Sequence, residues 1–353
     1  STYYSEKLKQ EKFSLDEEEL KPYFELGSVL GGMFQVAGNL FGLRFEEDPS
    51  IDTYHEEVKA YKVFDASGAE TAIFYADFHP RPGKRAGAWM TSYKPQYRKD
   101  GVNERPHISI VCNFTRATRQ EPSLLTFNEV TTLFHEFGHG LHHMLTRIDY
   151  PGVAGINGVA WDAVELPSQF LENWCWEPEA LAFISAHFES GGQQPDERLQ
   201  RMLKARNFQS GMQMVRQLEF SLFDFRIHRE YDPTRGGRIY EILDEVRRQV
   251  AVLTPPAWNR FAHGFSHIFA GGYSSGYYAY LWSEILDSDG FAAFKQAENI
   301  FDPEVAARLK KWVYEAGGLR EADELYRNFR GQDPSIEPLL EGRGFAVEEN
   351  DET

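Results

Sequence analysis

Residues 131–143 read Thr-Thr-Leu-Phe-His-Glu-Phe-Gly-His-Gly-Leu-His-His and place two imidazoles four positions apart, at His135 and His139. Apolar residues recur around this stretch at helical spacing, which predicts that it lies within one amphipathic helix. Residues four apart lie on the same face of a helix, so both rings can point a nitrogen at one tetrahedral metal ion. We therefore expect His135 and His139 to be two ligands of one zinc ion per chain.

Glu136 follows the first histidine and lies about a quarter turn round the helix, within reach of a water molecule on the metal. A zinc ion with an open coordination position lowers the pKa of its water to roughly 7, so a nearby carboxylate can take the proton. This spacing is typical of zinc hydrolases and predicts Glu136 as the general base. A chance match is the alternative, expected in on the order of one chain in a hundred of this length, and the helical context makes it rarer.

The composition indicates a globular protein of 353 residues with 42% hydrophobic residues, enough for a large core. Its formal net charge of −17 argues against nucleic acid or an anionic membrane as a partner, because both require a basic surface. Cys112 and Cys175 are far apart in sequence and are expected to be free thiols in a reducing compartment. With no apolar run of 18 residues and no signal-like N-terminus, we expect a cytoplasmic protein.

Periodicity predicts a mainly α fold with a small antiparallel sheet, in the α+β class. Residues 1–57 are expected to be helical, residues 58–115 to form the sheet, and residues 116–353 to be helical again. An unpaired edge of that sheet could hold an extended peptide by backbone hydrogen bonds. The alternative, a sheet that only covers the metal helix, has equal weight.

Two histidines leave the zinc ion one protein ligand short. His142 lies seven residues beyond His135, about 10 Å further along the helix, which is too far to share the metal. Glu165 is the stronger candidate, in the stretch Val-Glu-Leu-Pro-Ser-Gln-Phe at 164–170. Its alternative role is structural, because Asp162 and Glu165 stand three apart and could form a capping box at the start of a helix.

The metal stretch, the 164–170 stretch and Phe-Ser-His-Ile-Phe-Ala-Gly-Gly-Tyr-Ser-Ser-Gly-Tyr-Tyr-Ala-Tyr-Leu-Trp at 265–282 together resemble the M3 family of thimet-type oligopeptidases. The resemblance extends over essentially all 353 residues. It implies a zincin-like fold with His135, His139 and Glu165 as zinc ligands and Glu136 as the general base. It also implies a zinc-dependent endopeptidase that hydrolyses internal bonds of short unfolded peptides.

The glycine- and tyrosine-rich segment at 265–282 makes chemical sense for this reaction. Attack on a peptide carbonyl builds negative charge on oxygen, to which phenols and an imidazole can donate, and glycines allow a loop to bend. The alternative is an aromatic helix start packed in the core. The resemblance implies that His267, Tyr273 and Tyr280 face substrate, with Tyr280 as the oxyanion donor. Further candidates for substrate binding are Gly271, Gly272 and Tyr277.

The resemblance also suggests residues that orient the zinc histidines, namely Asp162, Ser168 and Glu172. Members of the family carry a long helical N-terminal portion that forms one wall of a channel over the zinc, and this sequence lacks it. The alternative function is therefore a catalytically weak peptide- or metal-binding fragment. Without that wall we expect weak activity, because the 265–276 loop stays open and the tyrosines are poorly placed. Tyr280 is then expected to lie too far from the metal to reach a bound carbonyl oxygen in one hydrogen bond. The sequence does not predict the oligomeric state.

Overall fold

The structure is a computed structural model that describes residues 2–345, and about half of these residues are helical. The strands are β1 (Arg44–Glu47), β2 (Lys59–Phe64), β3 (Glu70–Asp77), β4 (Trp89–Lys94), β5 (Tyr97–Lys99), β6 (Val102–Glu104) and β7 (His107–Val111). The first eight α-helices are α1 (Thr2–Phe13), α2 (Leu26–Phe41), α3 (Phe127–Met144), α4 (Leu166–Glu172), α5 (Pro178–Ile184), α6 (Asp196–Lys204), α7 (Ser210–Arg229) and α8 (Ile239–Val250). The remaining helices are α9 (Phe261–Gly264), α10 (Ser266–Phe269), α11 (Ala279–Gln296), α12 (Pro303–Leu309), α13 (Ala322–Arg330) and α14 (Glu337–Gly342).

Five strands form one mixed sheet in the order β1-β2-β3-β7-β4, and β5 pairs with β6 in a separate hairpin. The expectation of an antiparallel sheet is wrong for its centre, because β3 and β7 are parallel, with Phe74 opposite Ile108. Both strands are buried along most of their length, and burial on both faces suits a parallel pair. β1 is a second correction, since it lies in the stretch expected to be helical and pairs with β2.

Helix α3 packs against the sheet and is the most buried long helix near it. The ring of Phe137 lies 6.1 Å from that of Phe74 on β3, and Gly140 approaches the side chains of Ile108 and Ile110 on β7. The helix begins at Phe127 because its N-cap residue and Glu129 form a capping box in which each accepts the other's backbone N–H. One face of the sheet thus fixes the helix that carries both histidines.

A smaller hydrophobic core is built from α7, α8 and the short helices α9 and α10. Its aromatic residues include Phe220, Phe223, Phe261 and Phe265, with ring centroids 4.8 to 6.4 Å apart. Tyr277 belongs to the same core. This second core therefore supports the glycine- and tyrosine-rich segment, whereas the larger core supports the histidine helix.

Cys112 and Cys175 are both buried free thiols, as the sequence predicted. Burial raises the pKa of each thiol well above its ordinary value. Among residues 2–345, no helix combines the length and the apolar character that crossing a bilayer requires.

Candidate functional site

The three predicted metal ligands converge at one point. The rings of His135 and His139 project from one face of α3 with centroids 5.1 Å apart. Oε2 of Glu165 lies 3.2 Å from Nε2 of each histidine. One ligand atom from each of the three residues falls within 4.8 Å of the others. Two imidazole nitrogens and a carboxylate oxygen at this spacing fit a single zinc ion with ligand distances of about 2.0–2.2 Å.

A close contact between two helices brings the third ligand to the histidines. A Cβ atom added at Gly138 would lie 2.4 Å from the carbonyl oxygen of Pro167 and 2.6 Å from Cα of Ser168. Only glycine therefore lets α4 cross α3 between the two histidines. Glu165 immediately precedes α4, so this crossing carries its carboxylate to the metal face of α3.

Glu165 is 1% exposed, and its carboxylate is held by two hydroxyl groups. Ser168 donates to Oε2 at 2.8 Å, and Tyr273 donates to Oε1. Burial alone would raise the pKa of Glu165, but the adjacent imidazoles of His139 and His135 outweigh burial and hold it well below its usual value. The capping-box alternative is wrong, because α4 begins at Leu166 with Glu165 itself in the N-cap position, so Asp162 and Glu165 do not occupy the N-cap and N3 positions.

The two histidines are oriented differently. Nδ1 of His135 donates to Oε1 of Glu172 at 2.7 Å, which directs its Nε2 towards Glu165. Nδ1 of His139 is buried and has no hydrogen-bond partner within the described part of the chain. Asp162, expected to orient a zinc histidine, instead accepts the hydroxyl of Tyr278 at 3.1 Å. It lies in a turn before α4, on the side of the tyrosine segment.

Glu136 lines a cavity of about 760 Å³ together with His135. The residue is 8% exposed, and its burial raises the pKa of the carboxyl against the opposing effect of the two imidazoles. Ala88, immediately before the edge strand β4, lines the same cavity. The cavity therefore extends from the candidate base to the residue that precedes the edge strand β4.

His267, Tyr273, Tyr277 and Tyr280 form an aromatic cluster above the ligands. The Tyr280 ring lies 5.2 Å from Tyr273, 5.0 Å from Tyr277 and 6.1 Å from His267. Burial raises the pKa of Tyr277 to about 12, and burial followed by the charge of Glu165 raises those of Tyr273 and Tyr280 further. All three phenols are therefore protonated at neutral pH and available as donors.

The expectation of an open loop is wrong for Tyr273, because its hydroxyl contacts Glu165 directly. A turn at Gly272 makes this possible. Gly272 has a φ of +89°, and an added Cβ would lie 2.7 Å from the ring of Trp161. At Gly271 an added Cβ would lie 2.9 Å from the carbonyl oxygen of His267. Both glycines shape the turn, and their contact with substrate stays a prediction.

Two residues of α7 that hold the tyrosine segment were not anticipated. Asp224 accepts the backbone N–H groups of Ser275 and Tyr277, and Gln217 accepts the Tyr277 hydroxyl at 3.3 Å. No motif links them to a segment more than 50 positions away in sequence. The one available signal was a charged residue at position 224 between two phenylalanines of an aromatic helix.

Comparison with known proteins gives concordant matches. The sequence profile of Peptidase family M3 matches residues 1–345. The chain is 49% identical over 344 residues to Oligopeptidase A from Salmonella typhimurium, covering 97% of this chain and 50% of that protein. It is 38% identical over 348 residues to a dipeptidyl carboxypeptidase from Escherichia coli, covering 98% and 50%. The chain thus spans about half the length of these curated relatives.

Among solved structures, the M32 carboxypeptidase from Deinococcus radiodurans R1 superimposes with a TM-score of 0.52. The match has 16% sequence identity and covers 92% of this chain and 60% of that chain. At this level of identity the likeness concerns the fold alone.

Proposed function

The chain belongs to peptidase family M3, and we propose that it is a zinc-dependent endopeptidase that hydrolyses short unfolded oligopeptides. The observation that carries the proposal is the approach of Glu165 Oε2 to within 3.2 Å of Nε2 in both His135 and His139. The similarity to Oligopeptidase A supports the choice of oligopeptides as substrates.

His135, His139 and Glu165 are the proposed ligands, in a zincin-like arrangement with two ligands on one helix and the third beside the next. A zinc ion bound there would act as a Lewis acid that polarises a water molecule and the peptide carbonyl. Glu172 and Ser168 support the set, because the first accepts from His135 and the second donates to Glu165.

Glu136 is the proposed general base. It takes a proton from the attacking water and returns it to the nitrogen of the leaving amine. Its burial supports this role, since a carboxyl with a raised pKa binds the proton more firmly than an exposed one. Its position on the cavity lining lets it reach a peptide bound beside His135.

The aromatic cluster is proposed to stabilise the negative charge that develops on the carbonyl oxygen. The hydroxyl of Tyr280 is the leading donor, with Tyr273 and His267 beside it. Tyr273 donates to Glu165, so the developing oxyanion would compete with Glu165 for this hydrogen bond.

Strand β4 is the proposed place for the peptide backbone. It is the last strand of the sheet, and within residues 2–345 only its inner edge is paired, with β7. An extended peptide added to the free edge would run along the cavity that Ala88 and Glu136 both line. Gly271, Gly272 and Tyr277 remain the proposed contacts on the opposite side.

The test uses a quenched fluorescent peptide with an amidated C-terminus, with and without a metal chelator. We expect chelator-sensitive cleavage at an internal bond, and no cleavage by Glu136→Gln with its metal bound. Cleavage restricted to C-terminal dipeptides of unblocked peptides would indicate instead the activity for which the Escherichia coli relative is named. Binding without cleavage would support the alternative, a catalytically weak peptide- or metal-binding fragment. A cytoplasmic location and the exclusion of nucleic-acid and membrane partners stay predictions from composition.

A further inference from the structure

We propose that Asp224 is a positioning residue that fixes the backbone of the tyrosine segment, 273–280, and so keeps the hydroxyl of Tyr273 on Glu165 and the ring of Tyr280 beside Tyr273. The inference rests on the proposed peptidase function, because it assigns a catalytic consequence to a contact outside the ligand set. Asp224 itself touches neither Glu165 nor the two histidines among the contacts of the described residues.

The contact is specific and almost completely buried. Asp224 lies on α7 and is 1% exposed. Its Oδ1 accepts the backbone N–H of Ser275 at 2.8 Å, and its Oδ2 accepts that of Tyr277 at 2.9 Å. Each oxygen of this carboxylate therefore accepts one backbone N–H, from two residues that stand two positions apart in the same turn. Such charge-assisted bonds are shorter and stronger than bonds between neutral groups.

The turn needs an external acceptor. Ser275 has a φ of 60°, in the left-handed region that costs free energy for any residue except glycine. The segment then enters α11, whose N-cap residue Tyr278 makes no side-chain capping bond. The amide of Tyr277 thus lies just before a helix whose own sequence supplies no cap. Asp224 accepts this amide from a different helix, whereas the amides of Ala279 and Tyr280 bond to the carbonyl oxygens of Gly276 and Tyr277.

The two catalytic hydroxyls flank this turn. Tyr273 lies two residues before Ser275, and Tyr280 lies three residues after Tyr277. Their rings are stacked with centroids 5.2 Å apart, so a shift of the turn moves both. Apart from the bond that Tyr273 donates to Glu165, the proposed metal ligands are held by α3 and α4. Loss of the Asp224 contact should therefore disturb the donors and spare the metal.

The chain offers a matched control on the same helix. Glu219 is 3% exposed and ion-paired to Arg216 and Arg247, and it makes no contact with the tyrosine segment. Glu219→Gln removes a buried negative charge from α7 without altering the turn. Asp224→Ala removes both acceptors, and Asp224→Asn keeps one of them.

The experiment combines hydrogen exchange of a peptide spanning 273–280 with kcat, KM and zinc content in the zinc-loaded chain. For Asp224→Ala we expect faster exchange of this peptide, a kcat lower by about 10- to 100-fold, a KM within about threefold of wild type, and unchanged zinc. Asp224→Asn should give an intermediate result. Glu219→Gln should match the wild-type protein in exchange, kcat and KM.

Unchanged exchange in both Asp224 variants would overturn the contact as the device that holds the turn. Faster exchange with an unchanged kcat would overturn its catalytic consequence. If Asp224→Ala does not fold, the hydrogen exchange, kcat, KM and zinc content of Asp224→Asn test the proposal. An inactive wild-type chain would remove the proposed function and this catalytic role together, and the exchange data would still show whether Asp224 holds the turn.

Discussion

Glu172 accepts a hydrogen bond from Nδ1 of His135 across 2.7 Å, and this bond turns the opposite nitrogen of the ring towards Glu165. No equivalent partner holds Nδ1 of His139 within residues 2–345. Of the two proposed metal histidines, only His135 is therefore oriented through its Nδ1 by a carboxylate of the described chain. Removal of the Glu172 carboxylate should therefore weaken metal binding, although all three proposed ligands remain.

We expect Glu172→Ala to lower zinc affinity about 10- to 100-fold, because the ring of His135 loses its orienting acceptor and part of its basicity. Competition with a chelator of known affinity measures the change. Glu179→Ala, an exposed carboxylate on α5, is the control and should bind zinc as the wild-type chain does. Equal affinities in the two variants would show that the bond does not support the metal.

Glu136→Gln should abolish nearly all peptide hydrolysis and leave zinc content unchanged. The substitution removes the proton acceptor and keeps all three ligands, so only the chemical step is affected. Zinc content by atomic absorption and turnover of a fluorogenic peptide are the two measurements. Loss of zinc in this variant would mean that the carboxylate binds the metal instead.

Tyr280→Phe should lower kcat by about 100-fold with little change in KM, because its hydroxyl is used only when charge develops on the carbonyl oxygen. Tyr278→Phe is the matched control. It removes a phenol two residues away whose hydroxyl contacts Asp162, and it should keep nearly full activity. Equal losses in the two variants would argue for a general effect of the tyrosine segment on stability.

Gly138→Ala should reduce the free energy of unfolding by about 3 kcal/mol, because its Cβ would meet the backbone of α4 at 2.4 Å. Zinc binding should weaken as well, since Glu165 moves with α4. Gly31→Ala on α2 provides the contrast, because an added Cβ there meets nothing within 4 Å and should stabilise by up to about 1 kcal/mol. Urea unfolding of both variants tests the pair.

The lowered pKa of Asp77 predicts that the folded chain loses stability in acid. Burial alone would raise its pKa, but hydrogen bonds from Arg81, Lys84 and Tyr54 outweigh burial and lower it to about 2. An unfolded chain has a higher pKa at this residue, so the stabilisation is complete above about pH 4 and disappears as the pH falls towards 2. The full contribution is about 2 kcal/mol.

The free energy of unfolding of Asp77→Asn should therefore lie about 2 kcal/mol below that of the wild-type chain at pH 6, and the gap should close near pH 2. Urea titrations across this range measure it. Asp52→Asn, an exposed carboxylate nearby, should show no such closing gap. If the difference in free energy of unfolding between the wild-type chain and Asp77→Asn stays constant with pH, the lowered pKa of Asp77 is contradicted.

Helical spacing predicted the relative placement of His135, His139 and Glu136, because a regular helix converts sequence distance directly into geometry. Helical spacing could not predict the position of Glu165, because this residue lies outside α3. Its approach depends on the crossing of α3 and α4 at Gly138, which is a packing event. Sequence alone therefore left a capping role for Glu165 open until the resemblance to the M3 family favoured the metal.

Other features depended on contacts between distant segments. The parallel pairing of β3 with β7 follows from the path of the intervening chain, which strand periodicity does not encode. The resemblance suggested Asp162 as a residue that orients a histidine, yet the turn before α4 directs it to Tyr278. Asp224 carried no motif, because its partners are backbone amides, which every residue except proline possesses.

The burial of Cys112 and Cys175 has a practical consequence for following the tyrosine segment in motion. Both side chains are inaccessible, with 0% exposure, so a maleimide dye should leave the folded wild-type chain unlabelled. A single cysteine introduced at an open position such as Gly264, where an added Cβ meets nothing within 4 Å, would then be the one reactive thiol. A fluorophore at that position, one residue before the 265–276 loop, would report any movement of that loop in real time, without first replacing either native cysteine.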